Sequence, residues 1–140
     1  GAKARGYCSD MTRTVAVGRP TEKMRQIYGI VLEANRRALA GVQTGMTGAA
    51  CDALARGYIA QQGYGDRFGH GLGHSLGLEI HEEPRFSPAC ETVILPGTVV
   101  TVEPGIYLEN EFGVRIEDMV WMTPDGPVNL TASPKELIVL

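Results

Sequence analysis

The spacing of apolar residues changes part-way along the chain, from a helical period to a period of two. Between residues 20 and 45 apolar side chains recur every three or four positions, the pattern of a helix with one face in a core. This stripe comprises Met24, Ile27, Tyr28, Val31, Ala34, Ala38 and Val42. After Pro96 the segments TVVTVEPGIYL and GVRIEDMVWM alternate and are rich in β-branched residues, as strands are. The two patterns together predict an α+β fold.

Local signals place the elements within one domain covering residues 1–140. Pro20 and Thr21 predict the start of a first helix, and Thr47 predicts the N-cap of a second that stops at Gly63. YCSDMTRTVAV at residues 7–17 and the terminal ELIVL are further predicted strands, whereas residues 64–97 are predicted to be loop-rich. We expect an antiparallel sheet with two helices.

Composition excludes several classes of protein. The chain has 140 residues, 44% of them apolar, and a net charge of −3, which suits a globular domain with its own core. It has no basic run that would indicate binding to nucleic acid, and no apolar run near the ~20 residues needed to span a membrane. The three cysteines, Cys8, Cys51 and Cys90, are widely spaced and form no CxxC motif. This spacing predicts reduced thiols and a cytoplasmic protein.

Three carboxylates, Asp10, Glu103 and Glu117, fall inside predicted strands. Side chains two positions apart share a face of a strand, so Glu103 should lie beside Thr101, and Glu117 beside Arg115. A carboxylate near a core needs a charged partner or a cation. The pattern therefore predicts that these groups face a bound cation.

All three histidines of the chain, His70, His74 and His81, lie in FGHGLGHSLGLEIHEEP. Imidazole together with several carboxylates suits Mn, Fe, Co or Zn, and bridging carboxylates suit a dinuclear site. Taken singly, each carboxylate or histidine could be an ordinary surface or core residue, and Arg115 with Glu117 could form a surface ion pair worth about 0–1 kcal/mol. GHGLGH lacks the Lys-Ser/Thr of a phosphate-binding loop. The joint occurrence of these residues favours a metal centre.

These residues resemble the pita-bread metallopeptidases, which include methionine aminopeptidase, Xaa-Pro aminopeptidase and Xaa-Pro dipeptidase. The matching segments are GYCSDMTRT, FGHGLGHSLGLEIHEEP, VTVEPGIY and GVRIED, which occur in that order from residue 6 to residue 118. The resemblance implies the pita-bread fold, with a curved antiparallel sheet and two helices. It also implies that residues 1–140 form the C-terminal part of a catalytic domain whose upstream half is absent.

The resemblance implies two divalent ions in the parent protein, with Mn²⁺ favoured and Co²⁺, Zn²⁺ or Fe²⁺ as alternatives. The family's first Asp ligand lies eleven residues before its second, which would place it ahead of Gly1. We therefore expect one ion in this chain. The implied metal ligands are Asp10, His74, Glu103 and Glu117, with Asp10 and Glu117 bridging.

The implied activity of the parent is hydrolysis of the N-terminal Xaa-Pro bond of peptides or dipeptides with proline at the second position. His70 and Arg115 are similar to residues of the Xaa-Pro branch. A methionine-type aminopeptidase and a non-catalytic binding or structural module are the alternatives. The chain alone is expected to be poorly active, and a sheet edge left exposed by the missing half predicts a homo-oligomer. The implied catalytic residues are His70, His81, Glu103 and Arg115.

Overall fold

Two helices pack against strands of a mixed set of small sheets in the computed structural model, which describes residues 1–140. Helix α1 spans Glu22–Gly41 and helix α2 spans Gly48–Gln61. Thr21 Oγ1 accepts a hydrogen bond from the Met24 amide at 3.2 Å, and Thr47 Oγ1 accepts one from the Ala50 amide at 3.1 Å. Both predicted helix starts are confirmed, because each threonine satisfies an amide of the first turn that has no partner within the helix.

The strands are short. They are β1 (Ala2–Ala4), β2 (Tyr7–Ser9), β3 (Val15–Ala16), β4 (Gly73–Ser75), β5 (Glu82–Phe86), β6 (Val99–Val102), β7 (Gly105–Leu108), β8 (Phe112–Arg115), β9 (Asp118–Thr123), β10 (Gly126–Asn129) and β11 (Ile138–Val139).

A five-stranded antiparallel sheet, in the order β10-β9-β6-β4-β5, forms the centre of the fold. The pairs β1-β2 and β7-β8 are also antiparallel, whereas β3 and β11 pair in parallel. The predicted α+β architecture with two helices and mainly antiparallel strands is confirmed. No helix has both the length and the apolar character to cross a membrane.

The prediction that the three carboxylates lie inside continuous strands is wrong. Asp10 follows β2, Glu103 lies between β6 and β7, and Glu117 lies between β8 and β9. The chain leaves regular pairing at these points: the Glu103 amide donates to Leu72 O at 2.7 Å, and the Glu117 amide donates to Thr12 O at 3.0 Å. Side chains still alternate across these breaks. Glu103 therefore lies beside Thr101, and Arg115 and Glu117 lie on the same side, as predicted.

Residues 64–97 contain β4 and β5, so the prediction of a loop-rich segment missed two strands of the central sheet. Gly73 explains why β4 was hard to recognise. A Cβ at this position would lie 1.8 Å from Thr101 O, so only glycine allows the strand to approach β6 so closely. The strand therefore depends on a residue that normally argues against strand formation.

The apolar stripe of α1 lies in the core, as predicted. A single cluster of 21 buried side chains includes every member of the stripe except Met24, which is half-buried. Val100 and Val102 of β6 are fully buried in the same cluster, as is Ile116. Thr101, Glu103 and Glu117 consequently point away from this cluster and towards one another.

Candidate metal centre

Three side chains that could bind a metal ion form a cluster. One ligand atom from each of Asp10, His74 and Glu117 lies within 4.8 Å of the other two. They come from three parts of the chain: the end of β2, the middle of β4 and the residue before β9. The cluster can form because Thr12 and Glu117 join their segments through a β-bridge, and because β4 and β9 both border β6. Long-range strand pairing therefore assembles the cluster.

The ring of His74 is oriented for binding a metal through Nε2. Its Nδ1 lies 3.1 Å from the carbonyl oxygen of Ser75, so in the neutral ring Nδ1 carries the proton and Nε2 has the free lone pair. Nε2 lies 3.2 Å from Glu103 Oε1 and 3.7 Å from Asp10 Oδ2. This nitrogen and these two oxygens form a donor set that suits a divalent cation.

In the metal-free arrangement, His74 and Glu103 form a hydrogen-bonded ion pair. Burial alone would lower the pKa of His74, but the hydrogen bonds that its ring donates to Glu103 and to Ser75 O, together with the negative charges of Glu103 and Asp10, raise the pKa above the ordinary value. Burial alone would raise the pKa of Glu103. The hydrogen bonds donated by His74 and Thr101, together with the charges of the nearby histidines, lower the pKa below its ordinary value. A proton on His74 therefore occupies the place that a metal ion would take.

Only one of the two carboxylate oxygens of Glu117 has a hydrogen-bond partner. The residue is buried, with only 2% of its surface exposed. Oε2 accepts a 2.5 Å hydrogen bond from Thr12 Oγ1, whereas the buried Oε1 has no donor. Burial raises the pKa of Glu117 above its ordinary value, and leaving such an oxygen unsatisfied costs about 1–3 kcal/mol or more for a charged group. A cation among Asp10, His74 and Glu117 would satisfy it, so the residues present fit a metal site.

A polar cavity of about 260 Å³ adjoins the cluster. No apolar side chain lines it, and its wall includes all three histidines, Glu103 and Arg115. His81 is exposed, and its ring lies edge-on to that of His74 with centroids 4.4 Å apart. Every residue predicted to be a ligand or a catalytic group thus lies in the cluster or in this cavity; the individual roles stay predictions.

Sequence reasoning missed two residues that line the cavity and one that contacts its wall. Arg85 and Ser87 line it, and the Tyr107 hydroxyl lies 2.8 Å from His70 Nε2 and 3.4 Å from Arg115 Nη1. The signal for Tyr107 was a large aromatic residue in a strand, two positions from a glycine, close to a predicted ligand. That signal is weak, because an aromatic residue in a strand usually indicates packing.

We expect Tyr107→Phe to lower kcat/KM by about 10-fold, because the hydroxyl joins His70 to Arg115 and its loss leaves both side chains less restrained. The measurement is steady-state kinetics with the intact protein that carries these residues, on an Xaa-Pro dipeptide as the substrate that the sequence resemblance implies. Tyr64→Phe is the matched control, since only the Tyr107 hydroxyl contacts His70 and Arg115 of the cavity wall. Equal kinetics for wild type and Tyr107→Phe would show that the hydroxyl has no role.

Comparison with known proteins identifies the family. Residues 1–124 match the model of metallopeptidase family M24. The chain belongs to this family.

The proteins similar to this chain include some named as dipeptidases and others named as aminopeptidases. The Xaa-Pro dipeptidase of Pyrococcus furiosus is 52% identical over 138 residues, which is 99% of this chain and 40% of that protein. The solved structure of an Xaa-Pro dipeptidase from Bacillus anthracis has a TM-score of 0.95 and 55% identity, covering 96% of this chain and 38% of that one. An X-Pro aminopeptidase from Thermotoga maritima has a TM-score of 0.93 and 44% identity, with coverages of 96% and 38%.

These likenesses confirm the predicted α+β pita-bread fold and the predicted relation to the Xaa-Pro branch. The chain spans about 40% of the length of the relatives it matches.

Proposed function

We propose that the intact protein carrying residues 1–140 is a metal-dependent exopeptidase that hydrolyses the N-terminal Xaa-Pro bond of peptides or dipeptides. The observation that carries the proposal is the cluster of Asp10, His74 and Glu117 with an unsatisfied buried oxygen, beside a polar cavity. The names of the Xaa-Pro dipeptidase and aminopeptidase relatives support the choice of substrate. Residues 1–140 would be the C-terminal part of the catalytic domain.

Asp10, His74, Glu103 and Glu117 would hold the metal, with Asp10 and Glu117 bridging two ions in the complete site. Divalent ions bound there would supply an acidified water for attack and would polarise the peptide carbonyl. Mn²⁺ is the proposed ion because three of the four donors are carboxylates. The site of the second ion would need a ligand from outside residues 1–140, so one ion is proposed for this chain alone.

Glu103 would move the proton that hydrolysis requires. It lines the cavity and is half-buried, and Thr101 Oγ1 holds Oε1 through a 2.9 Å hydrogen bond. A carboxylate in this position can accept a proton from the attacking water and return it to the nitrogen of the leaving proline. The proline nitrogen carries no hydrogen in the peptide, so the delivered proton becomes the N–H of the released secondary amine.

The two cavity histidines differ in what they can offer the substrate. Both ring nitrogens of His70 have partners, Gly71 O at 2.8 Å and Tyr107 Oη at 2.8 Å. His81 is exposed at the cavity and contacts the ring of His74. An N–H of His81 is therefore available to stabilise the oxyanion of the tetrahedral intermediate, while His70 shapes the wall that receives the substrate.

The residues around Glu117 would keep the site in place. Arg115 Nε donates to Thr12 Oγ1 at 3.1 Å, and that hydroxyl donates to Glu117. Arg115 thereby orients a ligand through Thr12, in addition to placing its charge within the cavity. The three free cysteines fit a protein of the reducing cytoplasm, which is the proposed location.

Cleavage of matched dipeptides tests the proposal. With Mn²⁺, the intact protein should hydrolyse Ala-Pro at least about 100-fold faster than Met-Ala, a discrimination of roughly 2.7 kcal/mol in the transition state. His74→Ala should remove both activities. Faster cleavage of Met-Ala would favour a methionine-type aminopeptidase, and no cleavage of either peptide would favour a non-catalytic module. Adding Ala-Pro-Ala to the series separates a dipeptidase from an aminopeptidase.

A further inference from the structure

An ion pair on α2 holds the backbone that leads to His74. Asp52 is 1% exposed and accepts two hydrogen bonds from Arg56, Nε to Oδ2 at 2.5 Å and Nη2 to Oδ1 at 2.9 Å. Two parallel bonds of this kind restrain both side chains. The guanidinium is therefore presented at a defined position on the helix surface.

Both partners of the pair bind the segment 68–72. Arg56 donates to Phe68 O at 2.9 Å and to His70 O at 2.7 Å, and its guanidinium lies 4.3 Å from the centroid of the Phe68 ring. Asp52 Oδ1 accepts the amide of Leu72 at 2.9 Å. Two side chains thus hold this five-residue segment through three hydrogen bonds and a ring contact.

The same segment carries the ring of His70 into the polar cavity. The Phe68 ring meets that of His70 edge-on, with centroids 5.1 Å apart. The segment reads FGHGL, and glycine on both sides of His70 gives the unrestrained backbone unusual freedom. The bonds from Asp52 and Arg56 compensate for that freedom. Arg56 and Asp52 themselves do not line the cavity.

We propose that Asp52 and Arg56 are positioning residues that set the location of His70 in the substrate cavity by binding the backbone of residues 68–72. The proposal rests on the proposed function, in which His70 shapes the wall that receives the substrate. It assigns no contact with substrate or metal to either residue.

A second helix pair provides a matched control. On α1, Arg37 Nε bonds Glu33 Oε1 at 2.8 Å, and the Arg37 guanidinium lies 4.1 Å from the centroid of the Tyr58 ring. This pair has the same i,i+4 spacing and the same kind of ring contact, but no bond to residues 68–72. A change at Arg37 reproduces the loss of a helix ion pair without disturbing the cavity.

The first test compares Arg56→Lys with Arg37→Lys in the intact Mn²⁺-loaded protein. Lysine keeps a positive charge beside the buried Asp52, so the fold is retained, but one ammonium group cannot serve both carbonyls and the ring as the guanidinium does. We expect kcat/KM for Ala-Pro to fall by about 10-fold to 100-fold in Arg56→Lys. Arg37→Lys should stay within about 2-fold of wild type, and Mn²⁺ affinity should be unchanged in both variants.

A double-mutant cycle distinguishes positioning from a general structural effect. If Arg56 acts through His70, Arg56→Lys should have no further effect in a His70→Ala background, whereas independent effects would multiply. Hydrogen exchange of the intact protein supplies a readout without turnover: peptides covering residues 68–74 should exchange faster in Arg56→Lys, and peptides from α1 should not.

The outcomes separate the two proposals. The positioning role would be overturned if the effects of Arg56→Lys and His70→Ala on kcat/KM multiply, or if hydrogen exchange at residues 68–74 is unchanged in Arg56→Lys. Cleavage of Ala-Pro by the wild type would uphold the proposed function in either case. Absence of Ala-Pro cleavage by the wild type would overturn the proposed function, and the positioning role with it.

Discussion

Glu117→Gln is expected to weaken Mn²⁺ binding strongly at the proposed metal site of residues 1–140. In a calorimetric Mn²⁺ titration the wild-type chain should bind one ion, and the variant should bind at least about 100-fold more weakly, which corresponds to roughly 2.7 kcal/mol of binding free energy. Glutamine keeps the shape of the side chain and the hydrogen bond with Thr12. It removes the negative charge, and it places an amide N–H group where the buried Oε1 now has no donor.

The same substitution should leave the metal-free chain at least as stable as the wild type. Without a cation, the wild type buries a carboxylate with an unsatisfied oxygen close to Asp10, which costs free energy. The amide of glutamine would instead face the Asp10 carboxylate favourably. We expect urea unfolding in the presence of EDTA to show a gain of up to about 1 kcal/mol. A substitution that weakens metal binding but stabilises the metal-free chain is characteristic of a residue that is retained as a metal ligand.

Glu111→Gln is the control for charge, since Glu111 forms an exposed pair with Lys23 and belongs neither to the cluster nor to the cavity wall. It should leave both the titration and the urea midpoint unchanged. Mn²⁺ binding by Glu117→Gln as tight as that of wild type would remove Glu117 from the ligand set. Two tight sites in the wild-type chain would contradict the proposed single ion.

Asp118→Ala is expected to cost roughly 3–5 kcal/mol of the free energy of unfolding. The Asp118 side chain is completely buried, and Oδ1 lies 2.7 Å from Arg13 Nη2. Lys135 Nζ lies against Oδ2 as an ion pair without an aligned hydrogen bond. Alanine would leave two cations, each at most 18% exposed, without their shared carboxylate. Urea unfolding followed by circular dichroism measures the loss.

The contacts of Arg13 extend the consequence to the metal site. Arg13 also donates to Thr12 O at 2.8 Å and to Glu117 O at 2.6 Å, so its displacement should weaken Mn²⁺ binding as well. Glu111→Ala breaks a half-exposed ion pair and should cost no more than about 1 kcal/mol. A loss of similar size in both variants would show that the Asp118 pairs add nothing beyond surface electrostatics.

The buried pairs illustrate how far sequence reasoning reached. Asp52 and Arg56 are four residues apart on a predicted helix, so their pairing could have been read from the sequence. Their bonds to residues 68–72 could not, because those depend on how the following loop returns to the helix. Arg13 and Asp118 are 105 positions apart, and nothing in their local sequence indicates that they meet.

The sequence by itself determined the helix starts at Thr21 and Thr47, the buried stripe of α1 and the kinds of donor available for a metal. Each follows from interactions within a few residues: a cap, a helical turn or the alternation of a strand. Only the tertiary structure decided that Asp10, Glu103 and Glu117 lie at breaks between strands and converge on His74. Their distances depend on long-range pairing, such as that of Thr12 with Glu117, whose free energy is set by the packing of the whole chain rather than by any local pattern.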